Sequence, residues 1–267
     1  MGRRGRRRAA RARSGGPGLS KPFLFLGTRA EDAAADGEYD AVLLAGGLDE
    51  PDVRRVRLEQ QPLAEALGGP VDLDDWSGIV LGGGPFNVSD PPEAKSDVQR
   101  RVEAELGDLC RRVVAADHPF LGCCYGIGTL GVLPGGVVDR TYGEPIGAVE
   151  IGLTDEGRTD PLTGVLPERF AAYLGHKEAV ARLPDGAVLL ASSATCPVQA
   201  FRIGRNVYAT QFHPELDVDG LCLRIEVYEH HGYFEPGGAE TLKALARAAS
   251  VTEPARLVAR FVELHQR

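Results

Sequence analysis

The stretch "PFLGCCYGIGTLG", residues 119–131, sets two cysteines side by side between glycines. Its apolar lead-in, 119–123, reads as a buried strand, and the glycine-punctuated residues that follow read as a helix. A strand that passes directly into a helix is the repeating unit of a parallel α/β sheet, so the neighbouring segments should repeat it.

They do. "KPFLFLG" (21–27) is a short apolar run, followed by a helical stretch to about Leu44 that ends at Gly46-Gly47. "VRRVRLEQ" (53–60) reads as a second strand and "SGIVLGGGP" (77–85) as a third that runs into glycines. Residues 92–116 carry a clear helical period. Val98, Val102, Leu106, Leu109, Cys110, Val113 and Val114 line one stripe, and Pro91 and Pro92 precede it. Strands alternating with helices predict an α/β fold with an open, mostly parallel central sheet flanked by helices. Ligands of such sheets bind beyond the carboxyl ends of the strands. Two of those ends are Gly82–Gly84 and Cys123-Cys124.

The second half is richer in strands: "GAVEIGL" (147–153), "GAVLLASS" (186–193), "PVQAFRI" (197–203) and "NVYATQFH" (206–213). The last two flank Gly204-Arg205, a tight hairpin signal. Residues 217–231 read as helical, and two short helical stretches follow Pro236. The expected organisation is a disordered basic leader over 1–20, one domain over 21–235 and a helical extension over 236–267.

The leader holds seven arginines and no acid, while the whole chain carries a net charge of −8. The body is therefore strongly acidic, which disfavours nucleic acid as a partner. No apolar run approaches the roughly 20 residues that span a bilayer, so no membrane partner is expected. Five cysteines at irregular spacing, without a CxxC pair, argue against a zinc site and for free thiols in a reducing, cytoplasmic setting. Cys110 lies on the apolar stripe of its helix and should pack there. The acidic run 72–75 reads as solvated surface.

A cysteine at a glycine-flanked strand-to-helix turn has the mechanics of a nucleophile elbow: the turn pushes the sulfur out above the sheet. The start of the next helix favours the thiolate. Such a nucleophile needs a base and an orienting acid, and "QFHPEL" (211–216) supplies His213 and Glu215, two apart at an expected strand end. An oxyanion hole needs inward backbone N–H groups. "GGGP" (82–85) can provide one where a Cβ would obstruct, and the amide of Tyr125 a second.

In order and context these residues resemble the class I, triad-type glutamine amidotransferases, most closely the glutaminase part of GMP synthase. That family shows a Gly-Gly-Pro turn, then G-x-C-x-G, then H-P-E. This chain has Gly83-Gly84-Pro85, Gly122-Cys123-Cys124-Tyr125-Gly126 and His213-Pro214-Glu215. The glycine frame selects Cys124, and Cys123 is left to pack on its strand. The resemblance covers about residues 22 to 220 and extends through 183–215.

It implies cysteine-dependent hydrolysis of the side-chain amide of glutamine through a γ-glutamyl thioester. Cys124 is the nucleophile, His213 the base, Glu215 its orienting acid, and the backbone N–H groups of Gly84 and Tyr125 the oxyanion hole. Neither metal nor organic cofactor is called for. Gly83, with Tyr142 and Gly143 in "RTYGEP" (140–145), falls where the family contacts substrate. His176 in "GHKEAV" should make a structural hydrogen bond, and His230-His231 should lie solvated or capping at a helix end. The implied partners are glutamine or a γ-glutamyl compound, and a separate synthase that takes the ammonia.

One departure bears on substrate: where the family often has Gln four residues after the nucleophile, this chain has Gly128. A stand-alone hydrolase of γ-glutamyl amides is the alternative enzyme reading. A non-catalytic regulatory module is the alternative of another class, and its mark would be a broken triad.

Overall fold

The strand β1 (Phe23–Gly27) sends Phe23 and Phe25 to one face of the sheet and Leu24 and Leu26 to the other, and all four are buried. A strand covered on both faces cannot alternate polar with apolar residues, which is why it reads as an unbroken apolar run. The computed structural model describes residues 20–229, 234 and 237–267. The expected basic leader, apart from Ser20, and the pair His230-His231 lie outside the described residues.

After β1 come α1 (Asp32–Gly46), β2 (Val53–Arg57), α2 (Leu63–Leu67), β3 (Gly78–Leu81), α3 (Asp97–Ala116), β4 (Phe120–Cys123) and α4 (Tyr125–Gly131). Then follow β5 (Val137–Asp139), β6 (Glu144–Leu153), α5 (Asp155–Thr159), β7 (Arg169–His176), β8 (Ala179–Arg182), β9 (Ala187–Ser193), β10 (Ala200–Ile203) and β11 (Val207–Thr210). The helices α6 (Val218–Val227), α7 (Ala239–Ala248) and α8 (Ala255–His265) complete the order. Nine strands form one open sheet in the order β2-β1-β3-β4-β11-β10-β9-β6-β7, and β5 pairs β8 in a separate ribbon. From β2 to β11 every pairing is parallel, and from β11 to β7 every pairing is antiparallel. The α/β architecture expected from the sequence is thus present, with β4 inside its parallel half.

One face of the sheet packs Phe23 and Phe25 against Tyr39 and Val42 of α1 and Leu257 and Phe261 of α8. The other packs Leu24 and Leu26 against Val102, Leu106 and Leu109 of α3 and Ile127 and Leu130 of α4. Cys110 is buried in this second layer. The helix α3 opens on Ser96, whose hydroxyl accepts the Gln99 N–H at 3.1 Å. Such a cap stabilises a helix by about 1 kcal/mol. It closes on Asp117, a left-handed residue with φ 48°. The Asp117 carboxylate accepts the N–H groups of Arg205 and Asn206 at 2.8 and 3.0 Å, tying the end of α3 to the β10–β11 hairpin.

The last helices cover the body: α7 lies against α6 and β6, and α8 against α1, with the Phe261 ring 6.1 Å from that of Phe23. Among the described residues, no helix is long and apolar enough to cross a membrane.

Candidate active site

Cys124 sits between β4 and α4 with φ 53° and ψ −94°. Among described non-glycine residues only Asp117 and Cys124 have positive φ. A side chain held there costs about 1–3 kcal/mol, which the surroundings must offset. The Cys124 N–H donates to the Thr210 carbonyl of β11 at 2.8 Å. The glycine frame is steric: a Cβ on Gly122 would stand 2.9 Å from the backbone of Gly126. The turn puts the adjacent thiols in different media. Cys123 is 2% exposed, and burial, reinforced by Glu215, pushes its thiol pKa well above the ordinary value. Cys124 is half-buried and lines two cavities.

The expected strand 206–213 stops at Thr210, so His213 and Glu215 stand in the loop beyond β11 and not on a strand end. The Thr210 hydroxyl donates to the Phe212 carbonyl at 2.9 Å, Phe212 packs edge-on against Phe170, and Pro214 has no N–H to continue a ladder. The loop still brings the two side chains together: His213 Nδ1 lies 2.8 Å from Glu215 Oε1. The ring and the Cys124 thiol line the same cavity and interact electrostatically. With Nδ1 turned to Glu215, the thiol falls to Nε2. Burial, the largest single effect, disfavours a charged ring and Arg224 opposes it too, but the Glu215 carboxylate and Cys124 together outweigh them and raise the His213 pKa. Burial would likewise raise the Glu215 pKa, and His213 and Arg224 together hold it far below the usual carboxylate range.

The glycine loop after β3 is held from behind. The Gly83 N–H donates to Glu38 Oε1 at 3.1 Å, and the Thr28 hydroxyl donates to the Gly83 carbonyl at 3.1 Å. A Cβ on Gly82 would lie 2.6 Å from Glu38 Oε2, and one on Gly83 would lie 2.5 Å from His213 Cε1, so only glycine lets this backbone pass the imidazole. Gly83 therefore faces the histidine and spends its N–H on Glu38. The N–H groups of Gly84 and Tyr125 have no protein acceptor among the described residues, and Gly84 lines both cavities beside Cys124.

The first cavity is walled by Phe86, Tyr125, Gly128, His176, Glu178 and Gln211. A Cβ on Gly128 would stand 3.2 Å from Glu178 Oε1, so a carboxylate crowds the position where a larger side chain would project. That carboxylate accepts the N–H groups of Val88 and Ser89, both at 2.8 Å, and burial raises its pKa despite them. His176 turns both ring nitrogens to oxygens, Nδ1 to the Glu178 carbonyl at 2.8 Å and Nε2 to Glu144 at 2.9 Å. Tyr142 and Gly143 do not belong to the wall of either cavity; Gly143 packs on the backbone of His176 and Lys177. The second cavity opens on the His213 side of the thiol, between Ile146, Leu174, Leu216, Leu221, Ile225 and Tyr228.

Three buried charges at the site escaped the sequence reading: Arg29, Glu38 and Arg224. Arg29 Nε donates to Glu38 Oε1 at 3.1 Å, and Arg224 Nη2 reaches Glu38 Oε1 at 3.3 Å and Glu215 Oε1 at 2.9 Å. A signal was present. Glu38 stands on the helical stripe Ala34, Glu38, Val42, and Arg224 stands among Leu221, Ile225 and Tyr228. A charge on an apolar stripe has to be paired. Donor atoms of Glu38, His213 and Glu215 converge within 4.8 Å, as do those of Glu144, His176 and Cys196. In the first group Arg29 and Arg224 already supply the positive charge; in the second, Gln199 Nε2 and His176 satisfy the carboxylate.

The family model for glutamine amidotransferase class-I matches residues 52–219, which include Cys124, His213 and Glu215. The chain belongs to the class I glutamine amidotransferase family. It is 30% identical over 147 residues to a glutamine-hydrolysing GMP synthase subunit from Thermoplasma acidophilum, an alignment that spans 55% of this chain and 66% of that one. It is 33% identical over 152 residues to the glutamine-hydrolysing GMP synthase of Aeropyrum pernix, over 57% of this chain and 26% of that protein. The chain thus spans just under two thirds of the Thermoplasma relative and about a quarter of the longer one. Among solved structures, a glutamine amidotransferase from Thermotoga maritima superposes with a TM-score of 0.65 at 19% identity, covering 91% of this chain and 98% of that one. A glutamine amidotransferase from Methylobacillus flagellatus superposes with a TM-score of 0.65 at 17% identity, covering 92% and 96%. These likenesses concern the fold. The family membership makes the protein an enzyme of the glutamine amidotransferase type.

Proposed function

We propose that the protein hydrolyses the side-chain amide of glutamine through Cys124 and hands the ammonia to a separate synthase. The observation that carries this reading is the line of contacts from the Cys124 thiol to the His213 ring to the Glu215 carboxylate, at a turn whose backbone is strained. His213 takes the thiol proton at Nε2 while Glu215 holds Nδ1–H. The thiolate adds to the amide carbon, and the oxygen that becomes negative is received by the N–H groups of Gly84 and Tyr125. One such donor is worth roughly 10²–10³ in rate. His213 then returns its proton to the leaving nitrogen, the C–N bond breaks, and ammonia departs. Water, deprotonated by the same ring, attacks the γ-glutamyl thioester, and the thiol leaves with glutamate released. Every proton taken is given back, so each cycle turns one glutamine and one water into glutamate and ammonia.

The first cavity receives the γ-glutamyl part and the second lies on the side from which His213 protonates the leaving group. The names of the relatives support a synthase as the acceptor. The apolar wall of the second cavity supports the other enzyme reading, a hydrolase of γ-glutamyl amides with a leaving amine larger than ammonia.

The test is incubation with a glutamine-like diazo-ketone followed by peptide mass spectrometry, alongside glutaminase and γ-glutamyl alkylamidase assays of the isolated chain. Label on Cys124, absent from Cys124→Ala, with glutamate formed from glutamine, is the expected result. Label elsewhere, or glutaminase activity retained by Cys124→Ala, overturns the reading. Turnover of alkylamides far above that of glutamine selects the hydrolase.

A further inference from the structure

Arg224 makes a contact that a simple Cys–His–Glu relay does not need. Its Nη1 stands 3.0 Å from His213 Nδ1, the same nitrogen that Glu215 Oε1 approaches to 2.8 Å. An imidazole nitrogen carries in its plane either one hydrogen or one lone pair. If Nδ1 bears hydrogen, it donates to Glu215, and the Arg224 N–H at 3.0 Å confronts another donor. If Nδ1 bears the lone pair, it accepts from Arg224 and the ring hydrogen moves to Nε2; Glu215 Oε1 then faces that lone pair and keeps only its bond from Arg224 Nη2 at 2.9 Å. That second tautomer faces the Cys124 thiol with an N–H and has nowhere to put the thiol proton.

We propose that Arg224 restrains the enzyme's base: its guanidinium competes with Glu215 for His213 Nδ1 and holds part of the population in the tautomer that cannot deprotonate Cys124. The inference rests on His213 being the base for Cys124, and it makes Arg224 a positioning residue that acts through the ring.

The competition is built in by what anchors the arginine. Arg224 is 8% exposed, and its Nη2 bridges Glu215 Oε1 at 2.9 Å and Glu38 Oε1 at 3.3 Å. Glu38 Oε1 accepts in addition from Arg29 Nε and the Gly83 N–H, both at 3.1 Å. The planar fork of a guanidinium sets one nitrogen on the ring and the other on the two carboxylates at a fixed spacing, which a single ammonium nitrogen cannot reproduce. The charged and titratable groups that face His213 come from every element around it: Glu215 from its own loop, Arg224 from α6, Cys124 from the β4–α4 turn, Glu38 from α1, and Arg29 from the loop after β1. Among the described residues, Arg224 is the one cation within hydrogen-bond reach of the ring. Because Glu38 holds both Arg224 and the Gly83 peptide, the restraint is wired to the loop that carries Gly84.

The test reads the tautomer without turnover. Protein labelled with ¹⁵N-histidine is titrated from about pH 6 to 9.5, and the two-bond ¹H–¹⁵N pattern of His213 is assigned by its loss in His213→Gln. On the neutral limb the full-length wild type should show substantial Nε2–H tautomer. Arg224→Lys keeps a cation between Glu38 and Glu215 but cannot span all three contacts, and it should shift the ring to Nδ1–H, as should Arg224→Met. Alkylation of Cys124 by iodoacetamide near pH 8 should rise about tenfold in Arg224→Lys, the change expected if the base tautomer goes from roughly a tenth to most of the population. A wild-type ring wholly Nδ1–H, or the same pattern in a natively melting Arg224→Lys, overturns the proposal. If Arg224→Met does not fold, the wild-type and Arg224→Lys spectra decide. Neither readout uses glutamine, so a chain that fails to hydrolyse it would sink the proposed function and leave this inference to its own spectra.

Discussion

The adjacent cysteines show how much one backbone angle decides. Cys123 ends a strand and is sealed in the core; Cys124, one residue on, takes a left-handed turn and meets His213. Cys124→Ala should abolish glutaminase activity, while Cys123→Ala should cost about 1 kcal/mol or less of stability and leave most of the rate. Steady-state assays with thermal melts separate the two. The pH profile has a sign that follows from the site. The working base is the neutral ring, and its pKa is raised above the ordinary 6.5 because Glu215 and Cys124 together outweigh burial and Arg224. Activity should therefore fall away on the acid side at a pH above 6.5. Glu215→Gln should move that limb down and lower kcat on the order of 10⁴-fold, as loss of the orienting acid does in other triads. In stability the same residue has its own slope. Its folded pKa is depressed, so its contribution is full above the ordinary 4.5 and is lost as the pH falls below it. Melts of Glu215→Gln should lose that part of the acid dependence. The candidate triad was legible in the sequence because each of its residues stands in a short contiguous motif. Arg29, Glu38 and Arg224 were not, because nothing within any one segment says that three distant charges will share a carboxylate oxygen.

Among the elements, the turn between β4 and α4 is the one whose geometry function depends on most. Gly122 and Gly126 bring strand and helix so close that a single methyl at 122 would stand 2.9 Å from backbone. Gly122→Ala should destabilise the fold by about 1–3 kcal/mol, the usual range for overpacking, and should slow alkylation of Cys124 at temperatures where the variant is still folded. Denaturant melts and a timed thiol assay check both halves. The alternating strands and helices of the first half were readable because the central parallel strands there are buried on both faces. β7 was not: Ala171 and Ala172 are poor strand formers and Gly175 ends its short apolar run, and its pairing with β6, not its composition, makes it a strand. The placement of His213 on a strand end was off for a related reason. Its segment is apolar enough to extend β11, but the side-chain bond from Thr210 to Phe212 and the missing N–H of Pro214 turn the chain.

At the scale of the molecule, the helix α8 closes the face of the sheet opposite α3 and α4, and Phe261 is fully buried there against Phe23. Phe261→Ala should lose about 3–5 kcal/mol, the range for a large aromatic removed from a core, with kcat per folded molecule unchanged because α8 touches neither cavity. Melts paired with active-site titration would show a rate that falls only with the folded fraction. The acidic balance of the body and the lack of long apolar stretches were open to reading without coordinates, since both depend on composition and local runs alone. So were the alternation of strands and helices in the first half, the strand-to-helix turn at Cys124 and the pairing of His213 with Glu215, because periodicity and short motifs are properties of neighbours along the chain. The folded structure alone decided that Gly83 spends its N–H on Glu38, that Glu178 crowds Gly128, and that Arg224 approaches the nitrogen that Glu215 also approaches. Those outcomes depend on distances between segments brought together by the sheet, and burial makes each such contact strong enough to matter.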